Sequence, residues 1–224
     1  RLRESLRQLE GRRSLRFGAT LTIGEYIMPA PLLRLLERDP EIQLRMDTAN
    51  TQELLERLDR GELEFVIVEG DFDRQAYDSL TYCTQPYIPV CAPSYSFSRP
   101  VRRLGDLVEE RLLVREPGSG TRTVLERALE AHNLRVRDFR RVTELGSLNA
   151  IKALVCAGAG ISFFYQPVVQ RELEAGVLNT IPLEDSSISH DFTFLWRRGS
   201  VFTPYYREVF RLLAQPEAFS PEDG

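Results

Sequence analysis

Four times along this 224-residue chain a short apolar run ends in threonine, serine, asparagine or glycine and passes straight into a helical pattern. In the clearest case Leu112-Leu113-Val114 leads into Arg115-Glu116-Pro117-Gly118-Ser119-Gly120-Thr121-Arg122. Leu15 to Ala19 delivers Thr20 and Thr22, Ile42 to Met46 delivers Asn50 and Thr51, and Val142-Thr143-Glu144-Leu145 delivers Gly146, Ser147 and Asn149. A helix start leaves backbone N–H groups without intrahelical partners, and small or hydroxyl-bearing residues let those groups face open space. In an open α/β sheet such starts gather outside the carboxyl ends of the strands. The expectation is therefore an α/β fold whose cleft holds a small molecule rich in oxygen acceptors.

The order of elements sharpens this. Thr22 and Glu25 have capping-box spacing, and Asn50 with Glu53 repeats a similar pattern. A helix is predicted over Glu25 to Glu37, with Ile27, Leu32, Leu35 and Leu36 on its apolar face and Pro29 and Pro31 crowding its first turns. A second runs from Thr51 to Arg60 and ends at Gly61. Phe65-Val66-Ile67-Val68 is a continuous apolar strand of the kind buried on both faces. Beyond the polar stretch Gly70 to Asp78, two strands are expected, Leu80 to Cys83 and Tyr87 to Ala92, then an exposed loop from Pro93 to Arg99. A second series follows: helix Thr121 to His132, strand Arg140 to Leu145, helix Leu148 to Ala157, strand Ile161 to Tyr165, helix Pro167 to Ala175 and strand Val177 to Ile181. Strand Phe192 to Trp196 and helix Pro204 to Leu213 complete the chain, and that last helix should pack back on the first half. Two Rossmann-like lobes joined by crossover strands fit this order, with the ligand at their seam.

Charge and cysteine use narrow the class. A formal net charge of −4 argues against a nucleic-acid-binding surface in this segment. Its amino end is the exception, where Arg1, Arg3, Arg7, Arg12, Arg13 and Arg16 outnumber Glu4 and Glu10. Arg1 to Glu10 reads as an amphipathic helix, either a solvated basic helix or the tail of a coiled-coil linker. Residue 1 is Arg, so the chain is read as part of a longer protein. Cys83, Cys91 and Cys156 lack zinc-type spacing, which argues against a disulfide framework or a structural metal. No apolar run reaches transmembrane length and no secretory signal is present, so a cytoplasmic location without membrane contact is expected.

Catalytic patterns are weak. His132 and His190 have no nucleophile beside them, and Pro117 occupies the first glycine position of a G-x-S-x-G elbow at Gly118-Ser119-Gly120. Gly158 and Gly160 precede a strand instead of opening a helix, so no dinucleotide fingerprint is formed. No paired carboxylates suggest general acid/base work. Arg122 has two readings, a partner for a ligand carboxylate or a structural pair with Glu116, and Gln85 reads as a solvated side chain.

Several of these segments together carry a family resemblance. Leu15-Arg16-Phe17-Gly18-Ala19-Thr20 with Gly24-Glu25-Tyr26, Gly61-Glu62-Leu63-Glu64 before a hydrophobic strand, Arg115 to Arg122, Glu144-Leu145-Gly146-Ser147, and Ala157-Gly158-Ala159-Gly160-Ile161-Ser162 resemble the effector-binding domain of LysR-type transcriptional regulators. The resemblance runs from about Leu15 to Leu213. It implies a fold similar to type 2 periplasmic binding proteins, with residues 1–13 as the tail of a linker helix, 15–87 and 195–214 as lobe I, and 90–189 as lobe II. It also implies a winged helix-turn-helix that is absent from this sequence. Carried over, the effector-binding positions are Thr20, Thr22, Glu69, Ser119, Gly120, Thr121, Gly146, Ser147 and Asn149. Relatives that hold inorganic anions often have a polar residue after the second threonine, where this chain has Ile23, so the anion type stays open. Glu69 would repel an anion unless it binds an ammonium group or points away.

The resemblance thus implies a ligand-sensing domain for a small polar or anionic effector, with no cofactor, metal or catalytic residue. The implied partners are a second copy in a homodimer or tetramer, DNA through the missing amino-terminal domain, and RNA polymerase. Helix Glu25 to Glu37 of one chain would lie beside helix Thr121 to His132 of its neighbour, driven by apolar exposure. The alternative is the solute-binding protein of a transporter, which would use the same cleft for capture.

Overall fold

The computed structural model describes residues 14–214, so the helix expected over Arg1 to Glu10 lies outside the described residues. In the first part, β1 (Ser14–Ala19) leads through a π-type turn, Ile23–Ile27, into α1 (Pro29–Arg38), β2 (Gln43–Thr48), α2 (Thr51–Asp59) and β3 (Phe65–Val68). β1 pairs in parallel with both β2 and β3. The helix expected from Glu25 to Glu37 is interrupted for a chemical reason. Pro29 and Pro31 cannot donate to the carbonyls of residues 25 and 27, so the turn widens and Met28 N–H bonds the Ile23 carbonyl at 2.8 Å. The Thr22 capping box does not form either. Thr22 already has helical backbone angles and its side chain caps nothing. Asn50 does cap α2, accepting from Glu53 N–H at 2.9 Å.

The two strands expected after residue 80 are one strand, β4 (Tyr77–Cys91), with a register shift between Thr81 and Cys83. Pro86 and Pro89 sit where this strand passes from one partner to another, which is how a strand tolerates residues lacking an N–H. The second part contains β5 (Arg111–Val114), α3 (Gly120–Glu130), β6 (Arg141–Glu144), α4 (Leu148–Cys156), β7 (Ser162–Tyr165) and α5 (Gln166–Glu174). Of the strand expected over Val177 to Ile181 only β8 (Asn179–Thr180) is regular. The last strand, β9 (Ile188–Arg197), is longer than expected, and α6 (Thr203–Ala214) follows it.

The main sheet runs β2-β1-β3-β9-β4-β7, with β8 on β4, while β5 and β6 form a parallel pair in the second lobe. β4 and β9 are antiparallel and cross between the lobes, as the fold class anticipated. Phe17, Phe65 and Phe194 stack in the first lobe with ring centroids 4.9 Å and 4.4 Å apart. Against this stack α6 buries Tyr206, Val209 and Leu213, so the last helix does return to the first half. Among the described residues no helix is long and apolar enough to cross a membrane.

Phe194 touches Phe65, Trp196 and Phe210, which places it where β9 meets α6. Phe194→Ala should therefore cost about 3–5 kcal/mol through lost burial and the cavity left behind. Denaturant unfolding followed by the emission of Trp196, the sole tryptophan, reads this directly. A loss below about 1 kcal/mol would show that the stack does not organise this lobe.

Candidate functional site

Glu69 follows β3 directly and its carboxyl group points into the seam between the lobes, only 2% of the residue being exposed. The Thr20 hydroxyl, just beyond β1, bonds Oε2, and the Thr121 hydroxyl, in the first turn of α3, bonds Oε1 at 3.0 Å. Thr51, at the start of α2, donates its hydroxyl to the Glu69 carbonyl at 2.8 Å. Two strand ends, β1 and β3, and two helix starts, α2 and α3, thus converge on one residue, the arrangement that helix-start chemistry predicts for an open α/β sheet. Around it, Tyr87 Oη donates to the Thr121 carbonyl at 3.3 Å, and Tyr165 lies opposite Tyr87 in the β4–β7 register.

The backbones of the two lobes touch here. A Cβ added to Gly70 would lie 2.7 Å from the Gly120 Cα, and one added to Gly120 would lie 2.6 Å from Thr51 Oγ1. Glycine at both positions is what allows β3 and α3 to close on each other. Farther out, Arg127 pairs with Asp71, and Asn149 accepts from Tyr26 Oη at 3.0 Å.

A separate open cavity of 790 Å³ is lined by Glu25, Tyr26, Gln85, Lys152, Gln166 and Glu172. Lys152 Nζ donates to Tyr26 Oη at 2.9 Å and the Val168 carbonyl at 3.1 Å, and it pairs with Glu172 Oε1 at 2.8 Å. The other Glu172 oxygen is buried without a hydrogen-bond partner. A smaller cavity of 320 Å³, lined by Gly70, Asp71, Thr84, Arg127, His190 and Asp191, adjoins the Gly70 turn.

Of the residues singled out in the sequence, Thr20, Glu69, Gly120 and Thr121 meet in the seam, and Ser119 is buried as the residue preceding α3. Thr22 is 1% exposed and its hydroxyl has no partner. Asn149 is exposed but reaches across to Tyr26 and Glu25 at the edge of the larger cavity. Ser147 accepts from Ala150 N–H as a helix cap, and the neighbour nearest a side chain at Gly146 would be Glu116; neither touches Glu69. Arg122 does not pair with Glu116, binding Glu126 and Glu144 instead, while Glu116 is held in a fork by Arg115. Gln85 lines a cavity rather than being simply solvated. Sequence reasoning missed Tyr87 and Tyr165, whose spacing reads as ordinary core, and Lys152, whose position on α4 offers no signal of the network around it.

Burial raises the Glu69 carboxyl above its ordinary value of 4.5, and the Thr20 and Thr121 hydroxyls offset only part of that. The folded state therefore holds this proton more tightly than the unfolded chain. The stability it contributes is complete below the ordinary value and declines as pH rises through the folded one. Glu69→Gln cannot ionise, so its stability relative to the parent should rise as pH is raised above the ordinary carboxylate range in thermal unfolding at constant salt. A flat difference would mean that the carboxyl is not desolvated.

Comparison with known proteins agrees with this geometry. The family model described as the LysR substrate binding domain matches residues 8–216. The chain is 28% identical over 168 residues to the uncharacterized HTH-type transcriptional regulator YeiE of Escherichia coli (strain K12), covering 75% of this chain and 56% of YeiE, so it spans just over half of that relative. Among solved structures it is similar to the CcmR regulatory domain of Synechocystis PCC6803 in complex with 2-PG, with a TM-score of 0.77, 22% identity, and 91% and 98% of the two chains covered. It is also similar to the effector binding domain of QuiR in complex with shikimate, with a TM-score of 0.74, 12% identity, and 90% and 95% covered. These structures share the type 2 periplasmic-binding-protein-like fold. With helix starts from two crossover-linked lobes meeting at one seam and the family match spanning nearly the whole length, the protein belongs to the LysR substrate-binding-domain family.

Proposed function

We propose that this chain is the effector-sensing domain of a LysR-type transcription regulator and that a small polar or anionic molecule binds between its lobes. The observation that carries the reading is the convergence of Thr20, Glu69 and Thr121 where the lobes meet, in a molecule that also holds a 790 Å³ cavity open to solvent and lined by Tyr26 and Lys152. The complexes of CcmR with 2-PG and QuiR with shikimate support an effector of that size and polarity. In this proposal the lobes divide at 15–87 with 195–214 and at 90–189, Ser119 and Thr22 contribute hydroxyls, and Asn149 borders the cavity. Gly146 and Ser147 stand farther out and shape the loop before α4. The ligand acts by its differential affinity for open and closed arrangements of the lobes.

The proposal extends to the intact protein. DNA is contacted through a winged helix-turn-helix outside this chain, in the cytoplasm, with RNA polymerase as a downstream partner. The names of the regulatory relatives favour this over capture for a transporter. Two copies pair through α1, on which Leu33 and Leu36 are 57% and 41% exposed. α3 buries Val124, Leu125 and Leu129, so its side of the pairing rests on polar residues.

Calorimetry with 2-PG, shikimate and a panel of small organic acids and amino compounds tests the sensing role, with saturable binding expected for at least one. Against that ligand Thr22→Val and Ser119→Ala should each lose about 1–2 kcal/mol. Thr22→Val should leave ligand-free stability unchanged or higher, because the hydroxyl it removes is already without a partner. Unchanged affinity in both variants would remove these residues from the site. Sedimentation of this chain should show a dimer that Leu33→Glu dissociates; a monomer at high concentration would contradict the α1 contact.

A further inference from the structure

A carboxyl group taken out of water costs several kcal/mol unless its oxygens are satisfied, and a buried glutamate usually finds that satisfaction in an arginine or lysine. Glu69 does not. The nearby guanidinium of Arg115, itself 6% exposed, is committed to a two-bond fork with Glu116 at 2.8 Å and 2.9 Å. The oxygens of Glu69 are met instead by hydroxyls from separate lobes, Thr20 beyond β1 and Thr121 on α3. The Glu69 carbonyl is fixed by Thr51, so the residue is anchored in place. This is the surrounding of a bound carboxylic acid, not of one half of an ion pair.

Two more buried hydroxyls belong to the same neighbourhood by their place in the fold. Thr22 Oγ1, two residues beyond Thr20, and Tyr165 Oη, across from Tyr87 in the β4–β7 register, have no hydrogen-bond partner. Buried polar atoms without partners are uncommon, and here they leave bonding capacity that Glu69 does not use.

We propose that Glu69 is a tethered ligand: its carboxyl group fills a carboxyl-binding site made by Thr20 and Thr121, and a small carboxylic acid enters that site only by displacing it. The proposal deepens the sensing reading and rests on it for its regulatory meaning. Resting closure is then self-supplied, and the incoming acid exchanges one carboxyl for another while adding contacts to the spare hydroxyls.

Acetate is the probe, because it is the group that Glu69→Ala removes. Purified Glu69→Ala should show a saturable rise in melting temperature with sodium acetate relative to equal sodium chloride. The parent and Glu69→Gln, in which the side chain still fills the site, should show none. Adding Thr121→Val to Glu69→Ala should weaken the acetate response about tenfold, the loss of one buried hydrogen bond. If Glu69→Ala does not stay folded alone, its refolding yield in acetate against chloride reads the same quantity. A Glu69→Ala protein indifferent to acetate by either readout, or a parent that responds equally, overturns the proposal. Acetate reports on the seam alone. Its failure would leave effector binding in the cavity beside Tyr26 and Lys152 standing, whereas failure of the effector panel with acetate rescue intact would leave a carboxyl site without a sensing role.

Discussion

The antiparallel ladder between β4 and β9 determines where everything else can meet. β4 is fifteen residues long, and at about 3.3 Å per residue it reaches across the whole molecule. It pairs with β9 from Tyr77 to Tyr87, then with β7 from Tyr87 to Val90. β9 in turn carries β3, through Val66 opposite Leu195. The strand that leads to Glu69 and the strand that ends in Tyr165 are therefore held to one continuous set of main-chain hydrogen bonds. Any opening of the lobes has to bend this ladder, and the register shift between Thr81 and Cys83, with Pro86 and Pro89 beyond it, places the irregular backbone along the crossing.

What keeps the lobes shut is unevenly distributed over the contacts that cross the seam. The Arg127–Asp71 pair has side chains 63% and 38% exposed, and such pairs contribute about 0–1 kcal/mol at ordinary salt. The Tyr26 contacts with Asn149 and Lys152 lie at the rim of a cavity open to solvent, where water can offer nearly equivalent bonds. Glu69 is different because no water replaces Thr20 and Thr121 if they withdraw while it stays buried. Leaving such a group unsatisfied costs about 1–3 kcal/mol or more. The closed arrangement thus depends on one carboxyl group more than on the larger number of contacts around it.

The parts of the fold legible in the sequence are those whose cause is local. Asn50 capping Glu53 and Ser147 capping Ala150 follow from side chains three residues from their partners, and the apolar run Phe65 to Val68 becomes a strand buried on both faces. Thr22 shows the limit of that logic. Its spacing to Glu25 suits a capping box, yet the prolines at 29 and 31 reshape the turn and leave Thr22 inside helical backbone. By local pattern β4 reads as two strands, Leu80 to Cys83 and Tyr87 to Ala92, while the pairing that joins them through Pro86 comes from β9, about a hundred residues later. The site divides in the same way. Thr20, Ser119 and Thr121 could be read from helix-start chemistry, whereas the direction of the Glu69 side chain, and Tyr87 facing Tyr165, depend on a register between distant strands that no local pattern encodes.

Helix starts aimed at a shared seam create an electrostatic demand whether or not a ligand is present, because their unpaired N–H groups favour an acceptor or a negative charge. A chain without its own acceptor would leave that demand to water and a loosely closed cleft. Here the hydroxyls of Thr20 and Thr121, carried at such starts, are met from within by Glu69, at the expense of desolvating a carboxyl. The apparent affinity for any ligand that reaches the same hydroxyls is then a difference, the new contacts less those that Glu69 gives up. Strengthening the hold on Glu69 would tighten the resting state and weaken the response together, so position 69 couples how firmly the lobes close to how readily they answer a ligand.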